Sequence, residues 1–219
     1  MRALILVDLQ YDFMPGGALA VPDGDAVVAV ANRLMPCFDL VVASQDWHPA
    51  NHGSFASQHE GRKPGDVIEM DGLEQILWPD HCVQQSNGAN LHRELSSTGI
   101  DRIFQKGTDP RIDSYSTFFD NAHRKDTGLG DYLKQQGATE LFLMGLATDY
   151  CIKFSALDAR KLGFETKVIE DGCRGIELNP GDVVRAFEAM REAGAGIVHS
   201  AQLIQTTESA NAQASRGGR

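Results

Sequence analysis

Glu140-Leu141-Phe142-Leu143-Met144-Gly145-Leu146-Ala147-Thr148-Asp149-Tyr150-Cys151 is the stretch that decides the fold. Its apolar run does not alternate with polar residues, so a strand buried on both faces is expected over Glu140 to Met144. Thr148 is a helix-starting residue type, and helical periodicity runs on through Thr148 to Lys161. A second apolar run follows at Thr166 to Ile169. Strand, helix and strand in such close succession require a crossover between parallel neighbours.

Outward from that unit the pattern repeats. Strand-like runs occur at Ala3 to Leu9, Leu40 to Ser44, Arg102 to Gln105 and Gly196 to His199, with helical periods at Asp25 to Met35, Gly130 to Gln136 and Asp182 to Ala193. The expected fold class is therefore α/β, a six-stranded, mostly parallel sheet with helices on both faces, a three-layer arrangement of Rossmann type. One domain over residues 1–204 accounts for these elements. The segment from about 46 to 90 breaks the pattern, being rich in Gly, Pro, His, Asn and Gln, and reads as an irregular lobe over the site. From 205 to 219 the chain turns small and polar, the composition of a flexible tail.

Bulk properties narrow the function. With 219 residues and 42% hydrophobic content, the chain can bury about 70% of its unfolded surface. A formal net charge of -10, without any basic run, disfavours nucleic acid and acidic membrane surfaces as partners. No segment has the length of a membrane span or of a signal-peptide core, so a cytoplasmic protein is expected, and a homo-oligomer is compatible with the composition. Cys37, Cys82, Cys151 and Cys173 form no C-x-x-C pair, and reduced thiols are expected.

In an open α/β sheet, ligands bind beyond the carboxyl ends of the strands. Asp8 closes the first strand, Asp46 and His48 follow the second, Lys106 the third, and Cys151 comes shortly after the fourth. Parallel strands would bring all five to one rim. Cys151 falls in the first turn of the expected helix, where partial positive charge favours a thiolate. Asp8 can serve as its base and Lys106 as the cation that holds that base. Asp46-Trp47-His48 places carboxylate and imidazole on one face of an extended chain, so the two can share a metal ion. His81, in Trp78-Pro79-Asp80-His81-Cys82, is the best third ligand, giving two His and one carboxylate with open positions for one divalent ion; Zn, Fe and Mn all fit these ligands, and Zn is the one expected. His52 is either a fourth ligand or a hydrogen-bond donor to a metal-bound water, and His59, His92, His123 and His199 read as solvated or structural.

Val7-Asp8-Leu9-Gln10 with Asp12-Phe13, Gln45-Asp46-Trp47-His48-Pro49, Trp78 to Cys82, Lys106-Gly107, Asp113-Ser114-Tyr115-Ser116 and Gly145 to Cys151 occur together and in order. On these motifs the chain resembles the bacterial nicotinamidases among the isochorismatase-like cysteine hydrolases, and closely resembles the enterobacterial form, from Ala3 to about Ser200. The resemblance implies a catalytic triad of Asp8, Lys106 and Cys151 and a metal site of Asp46, His48 and His81. It further implies a cis peptide between Leu146 and Ala147, an oxyanion hole from the N–H groups of Ala147 and Cys151, and substrate-flanking rings at Phe13, Trp78 and Tyr115. Some members of the family use a second His, spaced further from the first, as a ligand; His52 comes too soon to match it.

The implied activity is hydrolysis of nicotinamide to nicotinate and ammonia through a cysteine thioester, in NAD salvage, with pyrazinamide as a further substrate. Relatives acting on carbamoyl or ureido substrates share the triad and generally lack the metal ligands, and those that cleave the vinyl ether of isochorismate have no use for Cys151. A non-catalytic metal-binding or redox module is the reading from another class. It is opposed by the lack of a resolving cysteine partner and by the small ligand set.

Overall fold

A computed structural model describes residues 1–206. Six parallel strands form one sheet in the order β5-β2-β1-β6-β7-β8, built from β1 (Arg2–Val7), β2 (Leu40–Asp46), β5 (Arg102–Lys106), β6 (Glu140–Leu146), β7 (Glu165–Arg174) and β8 (Gly196–Val198). The helices α1 (Ala26–Leu34), α2 (Leu129–Gln135), α3 (Lys153–Lys161) and α4 (Asp182–Glu192) flank it. The chain leaves β1 toward β2 and leaves β6 toward β7, in opposite directions. Right-handed crossovers then put their helices on opposite faces, and α1 and α3 both pack on β7.

This topology explains why β1 and β6 are so apolar. Every residue of β1 after Arg2 is buried, as is every residue of β6 after Glu140. With helices on both faces there is no solvent side to alternate toward. The reversal of strand order falls between β1 and β6, which opens a crevice beyond their carboxyl ends. Asp8 and the turn that follows Leu146 stand at that crevice.

The lobe is less irregular than its composition suggests. An antiparallel hairpin, β3 (Val67–Met70) with β4 (Leu73–Ile76), rises from it on a two-residue turn, Asp71-Gly72, both at positive φ. Asp-Gly between short apolar runs is a type I′ signal, and it is legible at positions 71 and 72. The rest is stitched by short bridges, His48 to Val83, Phe55 to Trp78 and Gln10 to Leu91. At the far end, residues 205 and 206 continue a helical segment over 200–206, and the remainder of the expected tail lies outside the described residues.

The turn after β6 also departs from expectation. Thr148–Ile152 winds as a π-helical turn before α3 begins, and Thr148 makes no side-chain capping bond. Thr148 is buried. Single π turns recur at functional sites, because the extra residue re-aims the side chains within them.

Candidate active site

Lys106 lies at the centre. It ends β5, is fully buried, and its Nζ stands 3.0 Å from Asp8 Oδ2, 3.0 Å from Asp46 Oδ1, 2.8 Å from the Ser114 carbonyl oxygen and 3.5 Å from Cys151 Sγ. Strands β1, β2 and β5 thus deliver an acid, a second acid and a cation to one point, and the turn after β6 brings the sulfur. Burial alone would discharge the ammonium; the charges of Asp46 and Asp8 outweigh it and hold its pKa well above the usual lysine range.

Asp8 sits at positive φ (52°), just past the last residue of β1. Ser44 of β2 fixes it twice: its hydroxyl donates to Asp8 Oδ1 at 2.6 Å and accepts the Asp8 N–H at 3.2 Å. The other oxygen, Oδ2, touches the Lys106 ammonium without hydrogen-bond alignment and has no other partner. That lone pair is therefore free to take a proton. Burial raises the Asp8 pKa against the lowering pull of Lys106, which suits a carboxylate that must gain and return a proton.

Cys151 corrects the expectation of a resting thiolate. Burial, helped by the charges of Asp8 and Asp46, pushes its pKa well above the usual thiol range, and Lys106 opposes this only in part. These surroundings oppose a thiolate, and a base lies close enough to take the proton. The Leu146–Ala147 peptide beside it is cis.

Asp46 joins this cluster to a second one. While Oδ1 faces Lys106, Oδ2 lies 3.0 Å from His48 Nε2 and 3.4 Å from His81 Nε2. Burial raises the Asp46 pKa, but His48 and Lys106 outweigh it and hold the carboxyl well below its usual range. His48 Nδ1 faces the Gly107 carbonyl at 2.9 Å and His81 Nδ1 the Pro79 carbonyl at 2.7 Å. A carbonyl only accepts, so both Nδ1 atoms donate and both rings turn Nε2 toward Asp46 Oδ2. Two imidazole nitrogens and a carboxylate oxygen thus converge on one buried point, where a cation can lie among them. The donor set fits a divalent metal.

Two features missed in the sequence hold this geometry. Gln10 acts as a surrogate strand edge, its side-chain amide accepting the Asp46 N–H and donating to the Asp46 carbonyl, both at 2.8 Å. Gly107 has φ of +66°, and a Cβ there would lie 2.4 Å from His48 Cε1. Only glycine permits both the conformation and the approach.

The cavity over Cys151 holds about 330 Å³ of empty space, partly open to solvent, and is walled by Phe13, Trp78, Tyr115, Tyr150, Leu19 and Ile176. Asp46, His81, Asp113 and Ala147 also line it. Phe13 meets His81 edge-on at 5.6 Å, and Trp78 stands nearly perpendicular to both Tyr115 and Tyr150. The Tyr115 hydroxyl accepts hydrogen bonds from Trp78 Nε1 at 3.2 Å and Gln75 Nε2 at 3.1 Å, which pins the rings. A roomier cleft adjoins Tyr115 and Tyr150 on the outside. Size does not pick the site; converging polar groups do.

All expected positions thus meet at one place: Asp8, Lys106 and Cys151 in contact, Asp46, His48 and His81 beside them, and Phe13, Trp78 and Tyr115 around the cavity. Sequence reasoning missed Ser44, Gln10, Gln75 and Asp113. Gln10 and Asp113 lie within recognised motifs; for Ser44 and Gln75 no local signal exists. His59, His92, His123 and His199 bond to backbone groups or carboxylates away from the cluster.

Residues 2–202 match the family model described as the isochorismatase domain. The chain is 54% identical to the nicotinamidase of Escherichia coli over 209 residues, 94% of this chain and 98% of that one. Among solved structures it superposes on an Acinetobacter baumannii nicotinamidase/pyrazinamidase with a TM-score of 0.90 and 45% identity, covering 92% and 97% of the two chains. A pyrazinamidase of Pyrococcus horikoshii in complex with zinc gives a TM-score of 0.73 at 38% identity, covering 90% and 98%.

Proposed function

We infer the reaction from one premise: the chain belongs to the isochorismatase domain family. It is an amidohydrolase that converts nicotinamide to nicotinate and ammonia, the step that returns nicotinamide to NAD synthesis, and it takes pyrazinamide as well. The observation that carries this reading is the placement of Lys106 Nζ within 3.5 Å of Asp8, Asp46 and Cys151 together.

The chemistry follows from the groups in place. Asp8 Oδ2 takes the Cys151 proton as the sulfur bonds to the carboxamide carbon, and the carbonyl oxygen gains the negative charge. The N–H groups of Ala147 and Cys151 receive that oxyanion. Asp8 then gives its proton to the departing nitrogen, the C–N bond breaks, and ammonia leaves a thioester on Cys151. A water molecule attacks the thioester, Asp8 takes one proton of that water, the C–S bond breaks, that proton returns to sulfur, and the acid departs as nicotinate with its remaining proton lost to solvent. Lys106 keeps Asp8 aligned throughout and offsets the charge of two adjacent carboxylates. Phe13, Trp78 and Tyr115 hold the ring flat so that its carboxamide meets the sulfur, a positioning worth several powers of ten.

Asp46, His48 and His81 would hold one divalent cation, zinc in our reading, which would supply a coordination point for the pyridine nitrogen. Elemental analysis of the protein as purified identifies the ion. The four unpaired cysteines suit a reducing cytoplasm, and the absence of a basic run suits a small-molecule substrate in place of nucleic acid or membrane.

The test is ammonia release from nicotinamide, pyrazinamide and an N-carbamoyl amino acid, with wild type and Cys151→Ala. Turnover of the two azine carboxamides, and a fall on the order of 10⁴-fold or more in Cys151→Ala with metal content unchanged, is expected. Preference for the carbamoyl compound would replace the substrate assignment, and an active Cys151→Ala would remove the thioester.

A further inference from the structure

Among the described residues, two buried polar atoms without a partner are left over by this mechanism, Thr117 Oγ1 and His52 Nε2, and His52 is the one that packs against a ligand of the cation site, His48. His52 is fully buried, and its Nε2 has no hydrogen-bond partner. Its Nδ1 accepts from the Ser54 hydroxyl at 2.7 Å and faces the Ser54 N–H at 3.2 Å. With Nδ1 serving as acceptor, the hydrogen of the neutral ring is on Nε2, so the orphan atom is a donor. The Ile112 carbonyl lies near the ring without reaching hydrogen-bond geometry. A donor left unpaired in the interior is costly, and the structure should provide an acceptor.

Asp113 faces the same space. It is buried, lines the substrate cavity, and accepts from the Ser114 N–H on Oδ1 at 2.7 Å and from Gln75 Nε2 on Oδ2 at 3.1 Å. A carboxylate offers about four lone-pair directions, so capacity remains. A ring nitrogen of His52, one of His48 and an oxygen of Asp113 all lie within 4.8 Å of one another, and no hydrogen bond joins His52 to Asp113. Two atoms that bond the same water at about 2.8 Å stand up to roughly 5.6 Å apart. A spacing within 4.8 Å, without a direct bond, fits groups that share a water.

We propose that His52 and Asp113 are positioning residues of the cation site: between them they hold one water bound to the divalent ion on Asp46, His48 and His81, His52 donating to its oxygen and Asp113 accepting its hydrogen. The inference rests on the metal reading given under Proposed function. Such a water has three partners, the usual number for a buried one. It faces the substrate cavity through Asp113. His52 is then no ligand, because its Nδ1 is engaged with Ser54 and its Nε2 carries hydrogen.

The experiment loads wild type, His52→Leu, His52→Gln and Asp113→Asn with Zn(II) in a chelator competition and with Co(II) for visible absorption. Zinc affinity should fall about ten- to a hundredfold in His52→Leu and Asp113→Asn, the range for outer-shell partners of a metal ligand. His52→Gln retains an N–H donor and should recover most of that loss. The Co(II) band pattern should stay that of wild type in every variant, since no direct ligand changes. A changed pattern in His52→Leu would make His52 a ligand and overturn the proposal, as would unchanged zinc affinity in Asp113→Asn and His52→Leu. If His52→Leu does not fold, His52→Gln near wild type with Asp113→Asn weakened still supports the pairing, and the reverse order refutes it. Wild type that binds neither ion would sink the metal reading itself, whereas a binding wild type with unaffected variants would sink this inference alone.

Discussion

The rim of the sheet and the lobe above it hold their functional groups by different means. Asp8, Asp46 and Lys106 project from the ends of three hydrogen-bonded parallel strands, so their spacing is set by the ladder register, which pairs Asp46 directly with Lys106. His81 and Trp78 hang on loop backbone that is tied down residue by residue. The Asp12 carboxylate accepts the Cys82 N–H at 2.7 Å, the Cys82 carbonyl accepts the His48 N–H at 3.0 Å, and the Ser54 carbonyl accepts the Trp78 N–H at 2.8 Å. The rim is positioned by the core and the lobe by tethers. Damage to the rim should therefore be felt as lost chemistry and lost stability together, and damage to the lobe as lost metal or ring binding with the fold intact.

The largest break is expected at Lys106. Lys106→Met leaves two carboxylates side by side in the interior without a counter-ion, a class of change costing about 3–5 kcal/mol. Urea unfolding of the metal-free protein should show that loss, and ammonia release should disappear. Adding Asp8→Asn removes one of the stranded charges and should recover part of the stability, with a coupling on the order of 1–3 kcal/mol. Simple additivity of the two changes would mean that the rim is not one electrostatic unit.

How much of this can be read in the chain follows the same division. Strand ends announce themselves: an apolar run that stops at Asp8, at Asp46 or at Lys106 places each group at the carboxyl edge before any coordinate is known. The parallel sheet follows from the same runs, since non-alternating strands need cover on both faces. Asp46 is legible as a metal ligand from its spacing to His48, but not as the bridge to Lys106, because that contact is set by the pairing of β2 with β5 across 60 residues. Ser44 and Gln75 carry no pattern for the same reason. The electrostatics of Cys151 are only half legible in sequence, because a position near a helix start favours thiolate while burial beside Asp8, visible only in the fold, raises its pKa. The hairpin at 67–76 escapes notice although Asp71-Gly72 marks it, since polar composition around it masks two four-residue strands.

A smaller and more selective effect is expected at Asp12, which ties the loop carrying Phe13 to the loop carrying His81. Its Oδ1 also accepts the Ala18 N–H at 3.3 Å, and Gly88 packs so close that a Cβ there would fall 2.0 Å from its Oδ2. Asp12→Ala strands the Cys82 N–H, a loss of about 1–3 kcal/mol, and frees His81 to drift. Zinc affinity should drop and KM for nicotinamide should rise. The rate at which iodoacetamide alkylates Cys151 in metal-free protein should stay at the wild-type value, because no rim contact passes through Asp12. A parallel change in alkylation would show that the tethers reach the rim after all.

The smallest effect should come from the turn of the hairpin, which carries no group of the site itself. Gly72 has φ of +84°, and a Cβ there would meet nothing within 4 Å, so Gly72→Ala causes no clash and adds only the left-handed backbone cost of about 1–2 kcal/mol. That cost falls on the pairing of Val67–Met70 with Leu73–Ile76. Gln75, on the second of these strands, donates to both Asp113 and Tyr115, so a loosened hairpin relaxes the ring wall. Amide hydrogen exchange should quicken in residues 67–76 while β1, β2 and β5 keep their protection, and KM should rise by a few fold with kcat little changed. If kcat fell as far as KM rose, the ring wall and the catalytic rim would have to be one cooperative structure, and the contrast between register and tether would not survive.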